Sequence, residues 1–328
     1  MNSSFLTLPV ELVYRILDNF ERLDIFLSIQ NVCTRFNIII STYTQYGTFT
    51  ELKLGSQLLN HKKIQLLAHA LQSNTTITLL NLECNKIRAE GIQYLAEMLQ
   101  KNTTLTTLNL EKNNIGAREI EYLAQALQNN TTLTTFNLGW NYVRDDGAQY
   151  LANALQNNTT LTTLNLEGNY ILADGIQYLA QMLQNNSSLT MLNLERNQIC
   201  AKGAQYLASA LKKNRTLTIL DLGWNYISDT GVHYLAYELQ KNTTIKILKL
   251  GSNKISANGA QYLAQALEIQ TLITCDLREN QIGSIGAQYL AHALQRNTTL
   301  ITLDLRSNGI GTEGAQHLAY AFPNNMVK

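Results

Sequence analysis

Residues Leu161 to Asn186 read LTTLNLEGNYILADGIQYLAQMLQNN, and almost all of the chain is built from this unit. It returns, lightly edited, as LTTLNLEKNNIGAREIEYLAQALQNN from Leu105 and as LTILDLGWNYISDTGVHYLAYELQKN from Leu217. Asn85, Asn113, Asn141, Asn169, Asn197, Asn225 and Asn253 recur every 28 residues; Asn280 follows after 27 and Asn308 after another 28. Gln57 holds the same place in a degenerate first copy, which makes ten units from Phe49 onward. A period this short specifies a solenoid, because each unit buries its apolar faces only against its neighbours.

Within the unit, Leu161, Leu164 and Leu166 form the LxxLxL pattern of a short strand with one buried face. Asn169 follows where the chain must turn. Its amide suits the turn's backbone groups, and copies stacked in register predict an asparagine ladder. After Gly175, the spacing Ile176, Leu179, Ala180 and Leu183 gives one apolar stripe on a helical period. Asn186 reads as the helix stop. Parallel strands are expected to line an inner wall and helices an outer one.

LxxLxLxxNxI followed by a helix, repeated over residues 49–328, resembles the leucine-rich repeats of the ribonuclease-inhibitor class. The resemblance implies an α/β fold: a curved horseshoe with a parallel inner sheet and outer helices. It implies no reaction, since fold and function are separate questions.

Residues 5–47 carry no such unit. Leu8-Pro9-Val10-Glu11-Leu12 opens a predicted helix: proline suits the first turn, Glu11 complements its positive end, and Leu12, Ile16 and Leu17 supply an apolar stripe. Further helical segments are expected from Leu23 to about Ile29 and from Asn31 to Ile40. The pattern LPxELxxxIL (Leu8, Pro9, Glu11, Leu12, Ile16, Leu17), with Val32-Cys33-Thr34-Arg35-Phe36 after it, resembles the F-box. That resemblance implies docking through Leu8, Pro9, Leu12, Ile16 and Leu17 onto the Skp-type adaptor of a cullin-RING ubiquitin ligase. Read without it, the segment is a helical cap for the first repeat.

Composition narrows the function. The 328 residues carry 25 basic and 24 acidic side chains, a net charge of +1, so neither nucleic acid nor an anionic membrane is an expected partner. No uninterrupted apolar run reaches the roughly 20 residues of a membrane span, and MNSSFLTLPVEL does not read as a secretory signal. Cys33, Cys84, Cys200 and Cys275 fall at different phases of the pattern and read as reduced thiols, Cys275 in place of a strand leucine. An intracellular protein, cytoplasmic or nuclear, is expected. The Asn-x-Ser/Thr triplets at Asn102, Asn130, Asn158, Asn186, Asn242 and Asn297 then mark helix stops and not glycan acceptors.

The five histidines fall at different repeat phases and form no ligand pair, and no phosphate-cradling loop is present, so no catalytic residue, metal or cofactor is assigned. Function is sought where the copies differ. One wall column, Lys53, Asn81, Asn109, Asn137, Asn165, Asn193, Asp221, Lys249, Asp276 and Asp304, is expected to be polar and solvated. The next runs from acidic (Glu83, Glu111, Glu167, Glu195) to basic (Arg278, Arg306). Beside it stand Trp140 with Tyr142, Tyr170, Arg196, and Trp224 with Tyr226. Three strands at roughly 4.8 Å put the two tryptophans about 14 Å apart. Trp, Tyr and Arg are the residues in which protein-binding hot spots are enriched.

The expected function is therefore a protein-interaction adaptor: an F-box arm, and a concave face that selects a protein target through Trp140, Tyr142, Glu167, Tyr170, Glu195, Arg196, Trp224 and Tyr226. Two other readings stand beside it. One is a recognition scaffold similar to the repeat region of innate-immune sensors; the other is a regulator similar to the Ran GTPase-activating proteins.

Overall fold

The computed structural model describes residues 50–268 and 271–321. The F-box-like segment 5–47, part of the shortened connection around Glu268 to Leu272, and the tail from Phe322 lie outside the described residues.

Among the described residues, ten three-residue strands form one parallel sheet in which each strand pairs with the next in sequence. They are β1 (Glu51–Lys53), β2 (Leu79–Asn81), β3 (Thr107–Asn109), β4 (Thr135–Asn137), β5 (Thr163–Asn165), β6 (Met191–Asn193), β7 (Ile219–Asp221), β8 (Ile247–Lys249), β9 (Thr274–Asp276) and β10 (Thr302–Asp304). A helix follows each strand: α1 (His61–Gln72), α2 (Ala89–Lys101), α3 (Ala117–Asn129), α4 (Arg144–Leu155), α5 (Ala173–Leu183), α6 (Ala201–Leu211), α7 (Ser228–Leu239), α8 (Ala257–Leu267), α9 (Gly283–Leu294) and α10 (Gly311–Ala321). Each helix lies against the helices of the adjoining units.

Every pairing sets the same position of neighbouring units side by side. Leu108 stands beside Phe136, Phe136 beside Leu164, and Cys275 takes the leucine place between Leu248 and Leu303. The middle residue of each strand from β1 to β9 is buried on the helix side, so Leu164, Ile176, Leu179 and Leu183 belong to one core that excludes water completely or nearly so. Residues one place to either side share the opposite face. The shortened ninth unit keeps this register, Ile247 pairing with Thr274, so the missing residue is absorbed between helix and strand. The two ends of the sheet differ. Leu52 and Leu54 are fully buried in the first unit, whereas Leu303 and Leu305 are only partly buried in the last.

Two asparagine ladders hold the units together. In the first, Asn113 Oδ1 accepts the Asn85 and Ile87 N–H groups at 3.0 and 3.3 Å, while Nδ2 donates to the carbonyls of Leu82, Leu110 and Glu111 at 2.9–3.0 Å. Each amide thus serves the backbone of the unit before it as well as its own turn. Gln57 is exposed and takes no side-chain part; its N–H donates to Asn85 Oδ1 at 3.2 Å.

The second ladder uses the asparagines expected only as helix stops. Asn186 Nδ2 donates to Leu155 O at 2.8 Å and Asn158 O at 3.1 Å, and its Oδ1 accepts from the N–H groups of Ser188 and Leu189. Asn102, Asn130, Asn158, Asn186, Asn242 and Asn297 are all buried, with the amide nitrogen that would carry a glycan already donating.

The recurring glycine marks a close approach. A Cβ on Gly175 would stand 2.5 Å from Asp145 Oδ1 and 2.9 Å from Asp145 Cα, so this turn of α5 lies directly on the preceding unit. Where Glu119 replaces that glycine, its Oε2 accepts the Gly116 N–H at 3.0 Å and caps α3 instead. The tyrosines at one helix phase, Tyr94, Tyr150, Tyr178, Tyr206, Tyr234, Tyr262 and Tyr289, pack on the core, whereas Tyr122 at the same phase is exposed.

Candidate functional site

On the sheet face turned away from the helices, the column expected to be solvated is half-buried or buried from Asn81 to Asp304, and most of it is bonded. Asn109, Asn137, Asn165 and Asn193 each accept the N–H two residues ahead at 2.9 Å, tying the strand into its turn, as Asp221, Asp276 and Asp304 do in later units. The acidic-to-basic drift of the next column is neutralised locally at its basic end. Arg278 Nε lies 3.2 Å from Asp276, and Arg306 pairs with Asp304. Asp304 is held below its ordinary pKa by the Arg306 hydrogen bond.

The residue before each ladder position has positive φ in every unit: Ser56, Cys84, Lys112, Trp140, Gly168, Arg196, Trp224, Ser252, Glu279 and Ser307. Its N–H crosses to the next unit, as Trp140 N does to Glu167 O at 2.6 Å and Trp224 N to Gly251 O at 2.7 Å. That bond and the turn fix the left-handed backbone whatever the side chain, so a varied column is displayed on an invariant frame.

In the middle of this column Trp140, Arg196 and Trp224 converge. The Arg196 guanidinium carbon lies 5.7 Å from the Trp140 ring centre and 4.2 Å from that of Trp224. Reaching both rings at once, it brings them nearer than the about 14 Å of three strand spacings, because the side chains lean along the wall toward one another. Gly168 makes this possible: its missing side chain leaves Trp140 room to lie across it, Cδ2 standing 3.0 Å from where a Cβ would be. Gly168 stands at the same phase as the tryptophans in the sequence, which was the available signal for its role.

Glu167 and Glu195 complete the cluster, each with a carboxylate oxygen 3.7 Å from Arg196 Nε, and their side chains are only 22% and 18% exposed. Burial raises both carboxyl pKa values above the ordinary range, and nearby carboxylates (Glu111 for Glu167, Asp221 for Glu195) raise them further. The Trp140 indole hydrogen bond to Glu167 and the Arg196 charge work in the opposite direction. Next to the cluster, Lys249 Nζ meets the buried Asp221 carboxylate at 2.8 Å.

The tyrosines do not join the tryptophans. Tyr142 and Tyr170 stack on each other, ring centres 5.8 Å apart and 7° from parallel. With Arg144, Asp145, Asp146 and Leu172 they line a shallow depression of about 500 Å³ where the strands turn into α4 and α5. Tyr226 lies under Lys254, whose Nζ is 4.9 Å from its ring centre. The eight residues read as one surface thus form a wall cluster of five, a stacked pair at the rim, and a separate tyrosine.

Among the described residues no group of His, Cys, Asp and Glu is arranged to hold a metal ion, and no helix is long and apolar enough to cross a membrane. His61, His69, His233, His292 and His317 all lie in helices. Cys275 is fully buried, which pushes its thiol up to about 12, and Cys84, Cys200 and Cys275 are all free.

A repeat solenoid that displays varied side chains on one sheet face defines a protein-interaction scaffold. The chain belongs to the leucine-rich repeat family, whose profile matches residues 73–96, 101–124, 129–152, 157–180, 185–208, 213–236, 241–264, 269–291 and 296–319. No curated protein matches the chain. Among solved structures, it is similar to the actin-binding site 2 of leiomodin-1, at 19% identity and a TM-score of 0.36, over 54% of this chain and 88% of that one.

Proposed function

We propose that this chain is an intracellular protein-interaction adaptor of ribonuclease-inhibitor type, which binds a protein target on a curved sheet face and performs no chemistry itself. The observation that carries the reading is the Trp140–Arg196–Trp224 cluster. The two indoles are 42% and 39% exposed, on a wall whose asparagine and aspartate column is spent on backbone bonds. Exposed Trp and Arg packed together are the residue types that dominate binding energy at protein interfaces. Tyr142, Tyr170 and Tyr226 extend the surface toward the rim.

The second arm of the proposal is the F-box-like segment, supported by Leu8, Pro9, Glu11, Leu12, Ile16 and Leu17 in the LPxELxxxIL pattern. In this reading the segment docks on a Skp-type adaptor, and the solenoid positions its target for ubiquitin transfer by the ligase. Co-purification with a Skp-type adaptor tests this arm, comparing wild type with Leu8→Ala/Pro9→Ala/Leu12→Ala, each checked for folding by circular dichroism. Retention by wild type and loss in the variant is the expected result. A folded wild type that retains no adaptor removes the ligase arm and leaves a recognition scaffold. The target arm is tested by comparing proteins captured by wild type and by Trp140→Ala/Trp224→Ala. Identical capture by the two refutes the wall as the binding face.

A further inference from the structure

The central wall holds an arginine in an unusual setting. Arg196 stands between two indole faces with a carboxylate on either hand, yet its contacts to Glu167 and Glu195 are 3.7 Å, longer than a hydrogen bond. It is also 38% exposed, so it can turn into water without breaking a side-chain hydrogen bond, provided that another cation takes its place beside the two carboxylates. A guanidinium over aromatic faces is attracted by the ring quadrupoles, most strongly where water is excluded. The pocket is therefore shaped and charged for a planar cation, and the chain fills it with a loosely held one of its own. Glu83, Glu111, Glu167, Glu195 and Asp221 outnumber Lys112, Arg196 and Lys249 along this part of the wall. Displacing Arg196 by a cation from outside keeps both carboxylates neutralised and frees Arg196 to be hydrated.

We propose that the wall between β4 and β7 takes an arginine side chain from a basic segment of a partner protein, seated between Trp140 and Trp224 against Glu167 and Glu195 in the place Arg196 now fills. This rests on the interaction reading above and specifies its partner: an extended peptide whose net positive charge complements the acidic wall. Arg196 is then a built-in competitor, and its removal strengthens binding.

Trp140 and Trp224 are the two tryptophans of the chain, so its indole fluorescence reports this pocket directly. The probe is a blocked nine-residue peptide of alternating arginine and glycine, set against the same peptide with glutamate for arginine. The expected result is a saturable, salt-sensitive emission change with the arginine peptide and none with the glutamate peptide. Arg196→Ala should bind the arginine peptide about tenfold tighter, and Glu167→Gln/Glu195→Gln at least about tenfold weaker. Circular dichroism on each variant establishes that it is folded, and Arg196→Gln serves as a second variant in which the guanidinium alone is lost. Silence of the arginine peptide toward folded Arg196→Ala and Arg196→Gln overturns the proposal. So does binding of the glutamate peptide that disappears in those variants, which would make Arg196 an anchor for an acidic partner. If the peptides fail while Trp140→Ala/Trp224→Ala still loses its captured proteins, the interaction wall stands and the basic partner does not.

Discussion

Replacing Asn113 by alanine tests whether the inner ladder is the main polar joint of the fold. The carbonyls that Asn113 bonds keep other partners: Leu82 O also accepts from Asn85, Leu110 O from Asn141, and Glu111 O from the Cys84 N–H. The groups left stranded are the N–H donors of Asn85 and Ile87, both in water-free surroundings. At about 1–3 kcal/mol for each unsatisfied buried group, the variant should lose about 4 kcal/mol. Asn109, four residues earlier, accepts one N–H and donates to Glu83 at 3.1 Å on the half-exposed wall, where water replaces both bonds. Its removal should cost about 1 kcal/mol or less. Urea unfolding followed by circular dichroism, analysed as coupled neighbouring units, measures the difference. With a slope of about 3 kcal/mol per molar, Asn113→Ala should lower the midpoint by more than about 1 M and Asn109→Ala by less than about 0.3 M. Equal shifts in the two variants would refute the reasoning, because they would mean that burial of the ladder contributes nothing special.

Three further outcomes follow from the geometry. Gly175→Ala should be destabilising by about 1–3 kcal/mol despite alanine's better helix propensity, since its Cβ collides with Asp145; an unchanged melting temperature would show that the units slide apart easily. In native protein at pH 8, alkylation mapped by mass spectrometry should label the exposed Cys200 and leave Cys275 unmodified until denaturant is added; rapid native labelling of Cys275 would contradict its buried thiol. Glu167→Gln should stabilise the fold at pH 7. The raised carboxyl pKa means that the folded state favours the protonated acid, a preference present below the unfolded pKa and lost as pH rises through the folded one. The gain over wild type in urea midpoint should therefore vanish below about pH 4, where the unfolded carboxyl is also protonated; a gain that persists there would point to something other than charge.

The spacing of Leu161, Leu164, Leu166 and Asn169, with the helical stripe from Ile176 to Leu183, was sufficient to place the strands, turns and helices of the described units, because one repeat solves its packing problem once and copies the answer. The second ladder was visible as a recurring phase at Asn102, Asn130, Asn158 and Asn186, but a sequence does not say where an amide points. A helix stop and an inter-unit clamp require the same residue there. Gly175 was visible ahead of the helical stripe without its reason, which lies in the preceding unit, on Asp145. The wall residues were located at their phases, and their grouping was not. Tyr142 is two places from Trp140, yet the turn at Asn141 sends it to the rim to stack on Tyr170, while Trp140 crosses Gly168 toward Arg196. Grouping of that kind depends on backbone φ and side-chain direction, which a 28-residue period leaves open.

The positive-φ column has a consequence for how such a protein changes over time. A non-glycine residue there gives up about 1–2 kcal/mol relative to glycine. The sacrifice is nearly the same for serine, lysine, arginine or tryptophan, because it comes from the backbone, which Ser56, Lys112, Arg196 and Trp224 share within a few degrees. Substitutions among them are therefore close to interchangeable for folding while being decisive for what the wall presents. The column works like a line of movable type in a fixed frame: ten positions at which recognition can be rewritten one unit at a time without the architecture having to be renegotiated.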